Sequence, residues 1–156
     1  MAIDKVREYF KKYDMAEKIQ EFDVSSATVE LAAEAVGCEA KRIAKSMSFL
    51  VEEKPVLVVL AGDARISNPK FKEAFYTKAK MLSPEQVDEM IGHSIGGVCP
   101  FAINEGVTVY LDESLKRFET VFPAAGSSNS AIELTLEELW KFSNAVGWVD
   151  IGKDWE

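Results

Sequence analysis

The chain is poor in the residues on which most small-enzyme chemistry relies. One histidine, His93, stands among 156 residues, and the two cysteines, Cys38 and Cys99, are far apart with no CxxC spacing. A structural zinc site then lacks ligands, so free thiols and no metal are expected. No uninterrupted apolar run reaches membrane-spanning length, and the opening MAIDKVREYFKKY reads as a charged amphipathic helix rather than a secretory signal. A soluble, cytoplasmic protein with no membrane partner is the expectation. Also missing are a P-loop, a GxGxxG after a strand and a nucleophile elbow around any serine, while Gly62-Asp63-Ala64 lacks the further ligands of a Mg²⁺ site. Phosphoryl transfer and dinucleotide binding are set aside, and no cofactor is expected. A Cys-His or Ser-His device would have to use His93 with Cys99 or a serine, and a small thiol such as Cys99 is more often simply buried.

What is present bounds the rest. With 47% hydrophobic and 28% charged residues, the chain is long enough for one domain with a proper core and too short for two. The net charge of −8 argues against unaided nucleic-acid binding, which depends on neutralising phosphates. That charge is unevenly spread: residues 1–80 carry 14 Lys and Arg against 13 Asp and Glu, and residues 81–156 carry 4 against 13. Lys5, Arg7, Lys11, Lys12 and Lys18 mark the first helix, and Lys70, Lys72, Lys78 and Lys80 cluster in one short segment. Each group reads either as ordinary solvated surface or as a basic rim around a cleft.

Apolar spacing predicts a helix from Ile3 to Tyr13 with Ile3, Val6, Tyr9 or Phe10, and Tyr13 inward. Lys18 to Val24 alternates as a short half-buried strand. Ser25, Ser26 or Thr28 caps a helix whose Val29, Leu31, Ala32, Ala35 and Val36 face inward and which stops at Gly37. After the acidic turn at Glu52 to Pro55, Val56 to Ala61 (VLVVLA) is apolar on both faces, as in a central strand covered on each side. Asn68-Pro69 and Ser83-Pro84 open short helices over about 69–79 and 84–91. Val107 to Leu111 and Glu119 to Ala124 read as strands parted by a helical turn, and Ala131 to Leu134 as another. Thr135 with Glu138 caps the last helix, and Val146 to Ile151 adds an edge strand anchored by Trp148. Strands and helices interleave without strict βα repetition, so the sheet is mixed rather than doubly wound.

The stretch Arg42 to Glu53 (RIAKSMSFLVEE) is the most informative. Strand alternation puts Ile43, Lys45, Met47, Phe49 and Val51 on one side and Ala44, Ser46, Ser48 and Leu50 on the other. Lys45 therefore interrupts an apolar row. An ammonium there shifts its pKa, finds an anion or stands at the mouth of a cleft, unless it reaches solvent along its own stem.

Lys45-Ser46 within KSMSF, Leu60-Ala61-Gly62-Asp63 closing the next strand, the GxxxP loop Gly96-Gly97-Val98-Cys99-Pro100-Phe101, and the glycine turn Ala125-Gly126-Ser127 occur in one order. In that order they resemble the YbaK family, relatives of the editing domain inserted in bacterial prolyl-tRNA synthetases. The resemblance covers about residues 20 to 142. It implies an α/β fold of the α+β kind, with residues 1–156 as one domain and a mixed, mostly antiparallel sheet flanked by helices. It also implies a hydrolase that removes a small amino acid from mischarged tRNA, with prolyl-tRNA synthetase as a possible partner. In such proteins the lysine matching Lys45 is most tied to activity, binding phosphate near the terminal adenosine or steadying charge on the ester. The loop from Gly96 to Pro100 would hold the substrate carbonyl and ribose through backbone groups, with Gly96 at the reacting centre. Water would attack with help from the substrate's own ribose hydroxyl. Phe22, Ser46, Met47, Gly97, Pro100, Gly126, Ser127, Ser128 and Asn129 are the implied substrate-binding residues. Hydroxyl and amide groups among them suit serine or threonine, and narrowing by Met47 suits alanine or cysteine. Ala102 stands where many relatives have glycine, and His93 where tyrosine is frequent. The competing reading is a module on the same fold that binds an amino acid, a tRNA end or a synthetase without cleaving anything. Its motivation is the acidic surface.

Overall fold

The computed structural model describes residues 2–94 and 96–155. Its spine is a hairpin of β2 (Ile43–Val51) and β3 (Lys54–Ala61), antiparallel over eight registered pairs from Ala44↔Ala61 to Val51↔Lys54. Glu52 and Glu53 turn the chain with φ of 51° and 67°, the doubly left-handed turn whose twist matches a two-residue hairpin. Parallel to β3 lies β5 (Thr108–Asp112), and outside it β9 (Gly147–Val149). On the other flank β6 (Thr120–Pro123) pairs parallel with β2, and β8 (Leu134–Thr135) closes that side antiparallel. The sheet order is β8-β6-β2-β3-β5-β9. Two ribbons sit apart from it, β1 (Ile19–Glu21) with β7 (Ser130–Ile132) and β4 (Arg65–Ile66) with β10 (Gly152–Lys153). Over sheet and ribbons together, four of the seven strand pairings among the described residues are antiparallel, and within the six-stranded sheet two of five are, so the sheet is mixed as expected.

The VLVVLA run is buried on both faces because cores lie on both. Val59, Ala61 and Leu111 meet Val6 and Phe10 of α1 (Ala2–Lys11) and Leu139 and Phe142 of α5 (Leu136–Ser143). Val58 and Leu60 meet Phe49, Ile151 and Phe71 of α3 (Asn68–Phe75). Helix α1 ends at Lys11, so Tyr13 lies beyond it and is 42% exposed instead of extending the buried stripe. Helix α2 (Val29–Val36) starts at Thr28, whose Oγ1 accepts from the Leu31 N–H at 3.2 Å, and ends in left-handed Gly37. It approaches Ile43 and Phe122 through Ala32 and Ala33. Val29 and Val36 flank that contact, and Leu31, expected inside, lies off this face and is exposed. Ser83 and Gln86 form the anticipated capping box of α4 (Pro84–Gln86), which runs on as a π-helical turn, Val87–Ile91.

Two strands differ from expectation. Lys18 to Val24 is a strand only over Ile19–Glu21, because β7 offers three partners. Ala131 to Leu134 is two strands, β7 and β8, serving different sheets. The step falls at Glu133, whose carboxylate accepts from Arg42 at 3.2 Å and Thr120 at 2.6 Å. At two residues each, β4 and β10 are too short to leave a periodic signal. Among the described residues no helix is long and apolar enough to cross a membrane.

The C-terminal segment is tied down by Asp112, a fully buried carboxylate at the end of β5. Its Oδ2 accepts from the Ser114 N–H at 3.0 Å, and its Oδ1 from the Ile151 and Gly152 N–H groups at 2.8 and 3.2 Å. Replacing it strands three buried donors. Asp112→Ala is expected to cost about 3 kcal/mol of folding stability, an unmet buried donor costing ~1–3 kcal/mol each, read from urea denaturation; a loss under ~0.5 kcal/mol would contradict the clamp.

Candidate active site

The site begins with a missing neighbour. On the edge away from β3, β2 is paired at Ile43 and Ala44 by β6, and near Phe49 by the segment around Met81. There the Leu50 N–H donates to the Lys80 carbonyl at 2.8 Å and the Leu82 N–H to the Ser48 carbonyl at 3.2 Å. Between these two pairings, Lys45 to Met47 have no strand on that side. Alternation turns the Ser46 backbone the same way as those of Ser48 and Leu50, into the gap. A cleft of about 370 Å³ fills this opening, floored by Ile43–Ser48 and closed by Ser26–Val29, Met81, Leu82, Gly96, Val98 and Phe122.

Lys45 lines this cleft half-buried. Its Nζ donates to the Gly62 carbonyl at 3.3 Å and, more closely, to the Ala64 carbonyl. Two backbone carbonyls thus take the place of the anion that an ammonium in an apolar row needs, and one of its three N–H donors is left over. Burial lowers its pKa from the usual lysine value, opposed by the carboxylates of Asp63 and Glu30. Asp63 is itself clamped by Arg117 at 2.9 and 2.6 Å, hydrogen bonds that hold its carboxyl below the usual range.

The two glycine loops meet each other beside the cleft. A Cβ on Gly97 would lie 2.8 Å from the N, Cα and C atoms of Ser127, so only glycine lets these backbones touch. Gly96, at φ +93°, faces Ala27 and Ser128 and lines the cleft. The second loop braces the segment that precedes α2. The Ser26 N–H donates to the Ser128 carbonyl at 2.6 Å, and Asn129 brackets Phe22, accepting its N–H at 2.8 Å and donating to its carbonyl at 3.0 Å. Ser127 and Ser130 join hydroxyls at 2.7 Å, and Ser130 reaches the cleft wall. Ala102, the departure from glycine, holds φ +53°, a conformation glycine would adopt freely.

Of the residues singled out by sequence, Lys45, Ser46, Met47 and Gly96 line the cleft. Phe22, Gly97, Pro100, Gly126, Ser127, Ser128 and Asn129 are not on its wall, and several of them buttress those that are. Ile95 of the first loop lies outside the described residues. Sequence reasoning missed Ser26, Ala27 and Phe122, while Val98 entered it only as part of the Gly96–Pro100 loop. Ser26 and Thr28 carried a signal as hydroxyl residues before a helix, but Phe122 read only as part of a strand. The hydroxyls of Ser26 and Ser46 are buried without a hydrogen-bond partner. No carboxylate and no imidazole stands on the cleft wall among the described residues.

His93 and Cys99 lie together behind the loop. Nε2 of His93 is 2.8 Å from the Phe101 carbonyl and 3.5 Å from Cys99 Sγ. Burial lowers the His93 pKa and pushes the Cys99 thiol up to about 12. Such a thiol is protonated and has no access to solvent, the opposite of a nucleophile. Among the described residues no three His, Cys, Asp or Glu side chains gather as a metal site.

A sheet opened along one strand edge, with Lys45 and a glycine backbone on the wall of the opening, defines a mixed α/β domain with a cleft at its sheet edge. Comparison with known proteins narrows this class. The profile of the aminoacyl-tRNA editing domain matches residues 23–142, and the chain belongs to that family. It is 54% identical, over the full length of both chains, to the uncharacterized protein YwhH of Bacillus subtilis (strain 168). It is 35% identical over 97 residues to proline–tRNA ligase of Limosilactobacillus fermentum, covering 57% of this chain and 17% of the ligase. Against that ligase the chain therefore spans under a fifth of the relative's length. A solved structure of a candidate trans-editing enzyme for prolyl-tRNA synthetase superposes with a TM-score of 0.87 at 29% identity, covering 97% of both chains.

Two outcomes test this geometry. Gly97→Ala is expected to lose about 1–3 kcal/mol in thermal unfolding, the range for overpacking, and an unchanged midpoint would mean that the loops do not touch. Ellman titration of the native protein at pH 8 is expected to leave Cys99 unmodified until denaturant is added; rapid labelling of Cys99 would overturn its burial.

Proposed function

We propose that this protein is a trans-editing deacylase, which hydrolyses the ester between a small amino acid and the terminal adenosine of a mischarged tRNA. The observation that carries the reading is the Lys45 ammonium, fixed by the Gly62 and Ala64 carbonyls with one N–H to spare, on the unpaired edge of β2 and in the same cleft as Gly96. A donor oriented in advance toward a phosphate or ester oxygen loses nothing to reorganisation when charge develops there. Membership of the editing family and the likeness to a candidate trans-editing enzyme support the same assignment.

The roles follow from position. Lys45 steadies the anionic oxygen. The Gly96 backbone lets the substrate approach closely, and Ser46 and Met47 floor the amino-acid end. With no imidazole or carboxylate on the wall among the described residues, the attacking water takes its help from the ribose hydroxyl of the substrate. Phe22, Gly97, Pro100, Gly126, Ser127, Ser128 and Asn129 complete the binding region by holding its walls. The tRNA is that for proline or one of the serine, threonine, alanine or cysteine type, and a prolyl-tRNA synthetase could hand it over.

A second reading, a binding module that cleaves nothing, draws on the acidic second half of the chain, which grips tRNA poorly unaided. Hydrolysis of alanyl-, cysteinyl-, seryl- and threonyl-tRNA, with wild type and Lys45→Ala side by side, separates the two. Turnover of one or two substrates is expected, with kcat/KM falling about 100-fold or more in the variant, the scale of losing one preorganised donor, at an unchanged circular dichroism spectrum. A variant that keeps full activity would remove Lys45 from the chemistry, and a silent wild type that saturably binds an aminoacyl-adenosine analogue would establish the binding module.

A further inference from the structure

Just outside the cleft the chain builds a feature that nothing else in the fold accounts for. Helix α3 ends at Phe75, and Tyr76 caps it in the left-handed conformation, φ +61°, with its N–H on the Lys72 carbonyl at 2.7 Å. That is a costly backbone state for a bulky residue, and it holds the ring out, 90% exposed. The segment that follows leaves the helix through a bend at Tyr76 and Thr77 and alternates in exposure: Tyr76, Lys78 and Lys80 are exposed, while Thr77 and Ala79 are half-buried, Ala79 against the Phe49 core. The far end is fixed, because the Lys80 carbonyl accepts from Leu50 and Met81 bridges Phe49.

An aromatic ring and two cations therefore reach solvent from one short strip that is anchored at both ends and packed through Ala79. Among the described residues Lys72, Lys78 and Lys80 make no salt bridge and no side-chain hydrogen bond, whereas Lys70 is committed to Asp150 at 3.0 Å. Residues 70–80 hold four lysines against Glu73 alone, in a chain of net charge −8. The strip also leads to the cleft, for Met81 is both 56% exposed and part of its wall. Met81 is five positions on from Tyr76, a reach of at most about 17 Å at ~3.3 Å per residue.

We infer that the strip Tyr76–Lys80 is the landing platform for the single-stranded 3′ tail of an RNA whose last nucleotide enters the cleft: Tyr76 stacks on a base, and Lys78 and Lys80 meet the phosphates on either side. Stacking plus charge is the chemistry by which proteins hold single strands without reading sequence. An acidic peptide would satisfy the lysines but would leave the ring unused. The identity of the strand as a tRNA end rests on the deacylase reading; the platform itself does not.

The test is fluorescence anisotropy with an acceptor-stem RNA hairpin, uncharged, carrying its single-stranded 3′ tail, compared with the same hairpin made blunt. Wild type is expected to prefer the tailed hairpin. Lys78→Ala with Lys80→Ala should weaken binding about tenfold and reduce the slope of log Kd against log salt by about 1 to 2, roughly 0.7 for each single-strand phosphate that a lysine no longer neutralises. Tyr76→Ala should weaken the tailed hairpin alone, and Tyr76→Phe should restore it. Equal binding by all variants, equal binding of tailed and blunt hairpins, or RNA binding that appears only with a synthetase present would each overturn the platform, the last pointing to a protein partner for the strip. Hydrolysis of mischarged tRNA by wild type is scored separately. A protein that binds through the strip and hydrolyses nothing keeps the platform and loses the deacylase; one that hydrolyses with binding indifferent to these variants does the reverse.

Discussion

Everything in this molecule that resembles a site follows from the two unequal edges of β2. Toward β3 its ladder is complete over eight residue pairs. On the opposite edge β6 covers only two residues before the chain turns away, and the segment around Met81 covers the strand again only near Phe49. Main-chain donors and acceptors in such a gap must find water or a ligand. A sheet interior is otherwise the least accessible backbone in a protein. Here the cleft is an interruption in the sheet, and its floor is as rigid as the hairpin beneath it.

Lys45 shows how the fold accommodates a charge where the pattern calls for a hydrocarbon. The backbone beyond β3 doubles back so that the Gly62 and Ala64 carbonyls surround the ammonium, while Arg117 takes the nearby Asp63 carboxylate. Had Asp63 been free, a direct ion pair would have satisfied Lys45 and closed it to a ligand. Held by carbonyl dipoles instead, it keeps one N–H donor uncommitted. The His93 and Cys99 pair is the contrast: two groups with reactive reputations, sealed behind the loop and serving it as packing.

The uneven charge of the chain acquires a location in the fold. The acidic second half includes α5 and the C-terminal strands, whereas the lysines of residues 72–80 lie on the segment that leads to Met81 on the cleft wall. A net charge of −8 therefore does not describe what an anion meets there. Long-range repulsion combined with a short basic strip favours ligands that present a narrow anionic end over those that present a broad duplex face.

Local physics made much of this legible in the sequence. The VLVVLA run, the caps at Thr28, Ser83 and Thr135, and the hairpin strands are short-range matters of periodicity and hydrogen-bond chemistry, and they stand where the pattern put them. The oddity of Lys45 was equally visible, because alternation alone reveals a charge in an apolar row. What surrounds that charge was not. Its carbonyl partners lie 17 and 19 residues away, the Gly97 approach to Ser127 crosses thirty positions, and Phe122 looks like any strand residue until the sheet opens beside it. Leu31 and the division at Glu133 were misplaced for the same reason, since the closeness of a helix and the partner of a strand are settled between elements. The sequence by itself determined the elements and the anomalous residue, since both depend on neighbours along the chain. Tertiary structure alone decided that the anomaly sits in a cleft, because an unpaired strand edge exists only where two distant segments fail to meet.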